Sequence, residues 1–253
     1  MYYKSDRIGE TNVNKYGNKM KIIKYNHSKD IDVLFEDYNC VAKNKHYIYF
    51  KNGTLTSPYD RTIYEKGYLG EGKYKKSIDN IPTILYYKWN EMFDRCYNEK
   101  YLKRQPTYIG CSVCEEWFNF QNFAQWYEDN YYEVSNEKMC LDKDILFKNN
   151  KIYSPSTCVI VPNSINILFT RNELHRTDNP IGVCEYKDKF IARCKVNGKS
   201  THIGIFNTRE EAFYDGYKPF KENNIKRMAD EYKNFIPNKL YVAMYNWEVS
   251  IND

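Results

Sequence analysis

The cysteines are the residues whose spacing first suggests chemistry in this chain of 253 residues. Cys111 and Cys114 are separated by two residues, and this C-x-x-C spacing can bring two thiolates onto one Zn²⁺ ion. The sequence has no second such pair, so Cys96, Cys140 and Cys158 could complete a zinc site only if the fold gathers them. Cysteines that bind no metal pack as small buried hydrophobes. The sequence leaves both readings open.

Basic residues are concentrated near the C-terminus. Residues 181–204 contain five Lys or Arg and two Asp or Glu, which gives a local net charge of +3. The whole chain has a net charge of only +5, a value compatible with most soluble proteins. Clustered charge, in contrast, is what nucleic-acid binding requires, because basic side chains contact phosphates and can read guanine edges. An ordinary exposed basic sheet is the alternative.

The composition excludes several broad classes. Hydrophobic residues make up 42% of the chain, enough for a packed core, and the 11 Gly and 8 Pro do not fit a collagenous or low-complexity protein. No apolar run approaches the roughly 20 residues that span a bilayer. The first residues, Met1 to Asp6, contain no apolar signal core. We therefore expect a cytoplasmic protein that has no disulfide framework and binds no membrane.

The elements that must position these residues follow from apolar spacing. Short runs at 20–23, 31–35 and 46–50 predict strands of an N-terminal β-barrel-like module, with a hairpin turn at Asn52-Gly53. Helical spacing predicts helices over 83–100, with Thr83 as N-cap, and over 114–128. Residues 140–153 are typical of a strand, an Asn-rich turn and a second strand.

The C-terminal region predicts a sheet followed by a helix. Residues 181–186, 190–196 and 201–205 have the composition of three short strands. Thr208 to Glu211 spells a capping box, and Gly216 and Pro219 are expected to kink or divide the helix that follows. The chain is therefore expected to be an α+β protein, with a β-rich module at 1–76, a middle domain at 77–175 and a sheet-plus-helix domain at 176–253.

This C-terminal unit resembles the DNA-binding domain of plant ethylene-response factors, which also occurs in phage nucleases and integrases. The resemblance covers about residues 180–215 and rests on Gly182-Val183, Phe190 to Ala192, His202 to Phe206, Thr208 and Ala212. It implies a sheet that lies in the DNA major groove, with Cys184 at a position where the family usually has arginine. Strand alternation then divides the sheet into an inner face of Val183, Ala192, Cys194 and Ile203 and an outer face of Tyr186, Arg193, Lys195 and His202. Lys199, in the turn before the third strand, is expected to bind DNA together with this outer face.

The middle region, residues 85–169, resembles phage endonucleases of the His-Asn-His class. The residues that carry the resemblance are Trp89, Arg95 to Tyr97, Val113 to Trp117, Phe120, Phe123, Trp126, Leu141 to Asp144, and Tyr153 to Cys158. The resemblance implies a ββα hairpin and helix that hold one divalent metal ion, Mg²⁺ or Mn²⁺, on the scissile phosphate.

The resemblance also assigns roles within the cluster Asp142, Lys143 and Asp144. Asp142 lies where the class has a metal ligand, and Thr157 occupies the approximate place of a later Asn. Lys143 stands where the general-base histidine is expected, although lysine is normally protonated near pH 7. Asp144 or His175 could take the role of the base instead. A charged hairpin turn without catalytic function accounts for the same acidic residues.

Taken together, these features predict a phage or mobile-element protein that binds double-stranded DNA, and the layout resembles that of a freestanding homing endonuclease. If the middle domain is active, the protein is expected to be a metal-dependent endonuclease that cleaves DNA phosphodiesters. A first alternative is a DNA-binding regulator or decoy with an inactive nuclease fold. A second is a phage interaction protein that binds a host protein or a nucleotide. The target sequence and the oligomeric state are left open.

Overall fold

Helices and small sheets alternate along the chain in the computed structural model, which describes residues 7–134, 136–170, 178–196 and 198–252. The expected mixture of α and β structure is confirmed. The chain forms two compact units: Met1–Asn90 with Glu115–Gln125, and Glu91–Cys114 with Trp126–Asp253. The division into three domains, with boundaries at 76/77 and 175/176, stays a prediction.

The first unit begins with an antiparallel four-stranded sheet. Its strands pair in chain order and are β1 (Thr11–Val13), β2 (Lys19–His27), β3 (Asp30–Phe35) and β4 (Cys40–Lys45). Alternate residues, among them Met20, Ile22, Ile31 and Val33, are fully buried, so one face of the sheet packs on the core. The sheet is open, and the described strands do not close a barrel.

The segment after β4 differs from its prediction. Residues 47–51 form helix α1 (Tyr47–Lys51) and not a strand, and Asn52 and Gly53 end this helix where a hairpin turn was expected. The turn buries Phe50 completely and leaves Ile48 and Tyr49 half exposed. A single buried anchor thus outweighs the β propensity of this aromatic run, and Gly53 adopts the left-handed backbone that stops the turn.

A buried carboxylate connects the first strands with the loop that follows α1. Asp60 accepts hydrogen bonds from the side-chain amides of Asn14 (2.8 Å) and Asn18, and from the backbone amide of Ser57 (2.7 Å). All four residues are buried. The network therefore supplies the partners that these polar groups need away from water.

Aromatic packing completes the first unit. Short strands β5 (Ser77–Ile78) and β6 (Ile81–Pro82) form a hairpin before helix α2 (Ile84–Tyr97), which Thr83 caps through the amide of Tyr86 (3.3 Å). A 3-10 turn (Glu115–Phe118) precedes helix α4 (Phe120–Asn130). Trp89 and Trp117 are fully buried, and the Trp89 indole donates to the Trp117 carbonyl (2.7 Å). The prediction that these aromatic residues form core is confirmed.

The second unit contains a hairpin followed by a helix. Strand β8 (Met139–Asp142) pairs antiparallel with β10 (Val159–Pro162), and helix α5 (Asn163–Phe169) follows. The strand, turn and strand expected within 140–153 are present, and β9 (Ile152–Tyr153) pairs in parallel with β7 (Ser112–Val113) rather than with β8. The fully buried β10 outcompetes β9 as partner of β8. Helix α3 (Glu99–Arg104) and a 3-10 turn (Pro106–Tyr108) lie between α2 and β7.

The predicted C-terminal sheet is confirmed. Strands β11 (Val183–Tyr186), β12 (Lys189–Val196) and β13 (Lys199–Phe206) form an antiparallel sheet in that order. Thr208 and Glu211 make both bonds of the capping box that starts α6 (Arg209–Glu211). A π-helical turn (Ala212–Tyr217) contains Gly216 and leads into α7 (Lys218–Tyr232), and α8 (Asn238–Tyr245) follows.

Candidate functional site

The outer face of the C-terminal sheet carries four of the five residues singled out from the sequence, and the fifth, Lys199, lies opposite Val196 at the hairpin end. Each of them is exposed: Tyr186, Arg193, Lys195, Lys199 and His202. The residues of the opposite face, Val183, Ala192 and Cys194, are buried in the core with Ala212 and Phe213, and Ile203 packs partly against them. The predicted division of the sheet into two faces is therefore confirmed.

The register of the strands gathers the charges on this outer face. Arg193 lies opposite His202, and a bulge interrupts the pairing between Ala192 and Arg193. Bulges redirect side chains and increase the local twist, which here presents Arg193 beside His202. Within the described chain, the structure gives no ion pair for Arg193, Lys195 or Lys199.

The acidic cluster lies in the second unit at the wall of a cavity of about 470 Å³. Asp142, Lys143 and Asp144 all line the cavity, and so do Arg95 and Tyr153. Asp142 is the last residue of β8, and the two residues after it turn away from the strand. The three residues therefore line the same cavity because they are consecutive in the sequence.

Asp142 is engaged by its own turn. One oxygen, Oδ1, accepts from the backbone amides of Asp144 (2.9 Å) and Ile145 (2.8 Å). Burial and the negative charge of Asp144 raise the pKa of Asp142, and the two amide bonds only partly oppose this. The geometry resembles the side-chain turn that aspartate forms in loops, which satisfies the backbone before any ligand is considered.

Lys143 is buried beside an acidic partner. Its Nζ donates to Asp144 Oδ2 (2.8 Å) and lies 5.9 Å from the ring centroids of Tyr108 and Tyr153. Burial disfavours the ammonium, but the Asp144 carboxylate outweighs burial, and the pKa of Lys143 is raised. Lys143 is consequently a protonated donor at neutral pH and cannot accept a proton as a general base.

Arg95 is a cavity residue to which the sequence assigned no role. It lies in the last turn of α2 and forms an ion pair with Glu91 (2.7 Å). Its side chain is 21% exposed, and its Nε is buried with no hydrogen-bond partner in the described chain. The helical spacing of α2 could have indicated this placement, because Arg95 directly precedes Cys96, the last residue of the buried apolar stripe.

Two other predicted residues lie apart from the acidic cluster. Thr157 does not line the cavity, and its hydroxyl donates to the Ile152 carbonyl (2.7 Å). Its hydroxyl also lies 2.8 Å from Ser154 Oγ. His175 lies outside the described residues. The role of Thr157 as a metal ligand therefore stays a prediction that this hydrogen bonding does not favour.

The C-x-x-C cysteines flank strand β7. Cys111 is buried, and burial raises the pKa of its thiol, whereas Cys114 is half-buried. Because side chains alternate along an extended segment, residues three apart tend to point to opposite sides. In the described part of the chain, no group of three or more His, Cys, Asp or Glu is arranged to hold a metal ion. Zinc at Cys111 and Cys114 remains an expectation.

Comparison with other proteins adds no further assignment. Within the residues that the structure describes, no helix has the length and apolar character needed to cross a bilayer. No protein-family model, curated protein or solved structure matches the chain.

Proposed function

We propose that the protein binds double-stranded DNA through the outer face of its C-terminal sheet. The observation that carries this proposal is the exposure of Arg193 and Lys195 on one face, with Lys199 exposed at the adjoining hairpin, all without ion-pair partners in the described chain. An exposed cation without an internal partner can release the counterions of DNA phosphates at no cost to the fold. The sequence resemblance to a DNA-binding sheet supports the same partner.

The five residues divide by the contacts that their chemistry allows. Lys195 and Lys199 carry flexible point charges and are suited to phosphates, which position a protein on the duplex. Arg193 has a planar guanidinium that can bind a guanine edge, and His202 lies opposite it on β13. Tyr186 is half exposed at the end of β11 and offers a ring that can pack on the backbone or a base edge.

The test compares two matched double variants. In fluorescence anisotropy at low salt with a labelled mixed-sequence duplex, we expect Lys195→Ala with Lys199→Ala to raise Kd about tenfold, since two phosphate contacts are lost. Lys233→Ala with Lys239→Ala removes the same charge from exposed positions outside the sheet and should leave Kd within about twofold. Equal losses in both variants, or no binding by the parent protein, would contradict the proposal.

Cleavage of DNA phosphodiesters is a second candidate function. It is favoured by the shared cavity, which Asp142 and Asp144 line together with Arg95. Two carboxylates are fewer oxygen ligands than Mg²⁺ or Mn²⁺ usually takes, although Mg²⁺ sites often retain several waters. Asp144 already binds Lys143, and Lys143 is protonated, so the predicted base position offers no proton acceptor. The donor set thus fits a divalent ion poorly, and the geometry favours binding without cleavage.

A plasmid assay separates these readings. Supercoiled plasmid incubated with the protein and Mg²⁺ or Mn²⁺ should stay intact if the protein is a DNA-binding regulator or decoy. Nicking that Asp142→Ala abolishes would establish the endonuclease instead. An absence of any DNA affinity at low salt would favour the remaining alternative, an interaction protein for a host protein or a nucleotide.

A further inference from the structure

A second cavity lies within the second unit, behind the C-terminal sheet. Its volume is about 560 Å³, within the range of about 300–1,000 Å³ that is usual for small-molecule sites. Leu168 of α5, Cys194 of β12, Met228 of α7 and Trp247 contribute to a lining that is largely apolar. Asp142, Lys143 and Asp144 do not contribute to this lining, although Trp247 also lines the cavity of the acidic cluster.

Lys221 places an ammonium group in this apolar lining. It lies on α7, and its Nζ donates one hydrogen bond, to the Leu168 carbonyl (2.7 Å). The structure gives it no carboxylate partner among the described residues. Burial lowers the pKa of Lys221 and outweighs the opposing effect of the nearby Cys194. An ammonium has three donors, so Lys221 retains donors for a ligand.

The one carboxylate in the described lining is committed elsewhere. Glu137 Oε1 accepts from the Tyr232 hydroxyl (2.8 Å), and Oε2 accepts from the Ser164 amide (3.3 Å). Burial acts against ionisation, but these hydrogen bonds outweigh it, and the pKa of Glu137 is lowered. Arg193 and Lys195 of β12 also contribute to the lining, but strand alternation directs their side chains to the outer face of the sheet. Among the described lining residues, Lys221 therefore meets no carboxylate that lacks other partners.

We propose that this cavity binds an organic monoanion with an apolar body, an aryl or alkyl carboxylate, whose carboxylate pairs with Lys221. The apolar walls accept the body of such a ligand, and a charged hydrogen bond to a partly desolvated ammonium fixes its orientation. A single buried ammonium matches a single negative charge, whereas a phosphate dianion would bring a second charge into an apolar space. This site does not depend on the proposed DNA binding.

Naphthalene-2-carboxylate and its neutral analogue naphthalene-2-methanol test the proposal by titration calorimetry. Met replaces Lys with a side chain of similar length and no charge. We expect Lys221→Met to weaken binding of the carboxylate about tenfold or more and to leave the alcohol nearly unaffected. Lys226→Met, on the same helix but outside the lining, should change neither affinity. Equal carboxylate affinity in the parent and Lys221→Met proteins would overturn the proposal.

A measurement on the parent protein covers the case in which the Lys221 variant does not fold. Reductive methylation followed by peptide mapping reports the accessibility of each amine. Naphthalene-2-carboxylate should protect Lys221 from methylation, and the exposed Lys239 should be modified equally with and without it. Unchanged methylation of Lys221 at saturating carboxylate would overturn the proposal, as would an absence of binding at millimolar concentration.

Discussion

At the scale of single residues, Asp142 couples the acidic cluster to the stability of the protein. Burial and Asp144 raise its pKa to about 6. A carboxyl whose pKa is higher in the folded than in the unfolded chain binds its proton more tightly when folded. Its contribution to stability is therefore complete below the unfolded pKa of about 4 and is lost as the pH rises through about 6.

Replacing this carboxyl with an amide should reveal the effect. The asparagine side chain keeps an oxygen for the two backbone amides and carries no charge. We expect Asp142→Asn to raise the free energy of unfolding by about 1–2 kcal/mol at pH 8 and to have little effect at pH 4. Urea unfolding at both pH values measures it, with Asp188→Asn, at an exposed turn, as the control. A gain that is larger at pH 4 would contradict the assignment.

Sequence reasoning placed some candidate side chains correctly and missed others for one reason. Arg193 and Lys195 could be placed on an exposed face, because strand alternation is a local rule. The side-chain partners of Asp60 and the cavity position of Lys221 depend on residues 42 to 53 positions away, and no local pattern encodes such contacts. Lys143 shows the same limit, since only the folded site reveals that its charge is paired.

At the scale of elements, the contact between the π-helical turn and the C-terminal sheet requires a residue without a side chain, Gly216. A Cβ added at Gly216 would lie 2.8 Å from the Ala192 Cβ and 2.8 Å from the ring of Phe206. Real Cβ atoms do not approach other atoms so closely. Gly216 therefore permits the π-helical turn to pack directly against β12, which also brings Tyr217 into the core.

A side chain added at Gly216 should weaken the packing of the π-helical turn on the sheet and destabilise the protein. We expect Gly216→Ala to lower the free energy of unfolding by about 1–3 kcal/mol, since the helix must move away from the sheet. Ala192→Gly removes one of the two opposing groups, so the double variant should lose less than the sum of the two single changes. Additive losses in thermal unfolding would show that the two residues do not oppose each other.

The elements themselves were predictable where their contacts are local. The three C-terminal strands and the capping box were expected at almost their observed positions, because hairpins and caps involve neighbouring residues. The parallel pairing of β9 with β7 joins segments about 40 residues apart, and the helical turn at α1 depends on the burial of Phe50. The pairing could not be predicted and the strand at 46–50 was wrong because tertiary packing decides both.

At the scale of the whole molecule, the proposed DNA binding depends on charge in one place and not on the small net charge of the chain. If Arg193, Lys195 and Lys199 each displace one counterion, the logarithm of the binding constant should fall with the logarithm of salt concentration with a slope of about −3. Lys195→Ala with Lys199→Ala should reduce the steepness by about two. Anisotropy titrations over a salt series measure it, and an unchanged slope would contradict a role for these lysines.

Each of the two units is made of two separate chain segments, and this arrangement limits how the protein can exchange parts in evolution. The first unit needs Met1–Asn90 and also Glu115–Gln125, which contains the buried Trp117 and Phe120. A gene segment that stops at residue 90 would encode this unit without the residues that close its core. Recombination can transfer it to another gene only together with the intervening 91–114, which belong to the second unit. The C-terminal sheet lies within the continuous segment Trp126–Asp253 of the second unit, so no segment of the first unit interrupts its gene sequence.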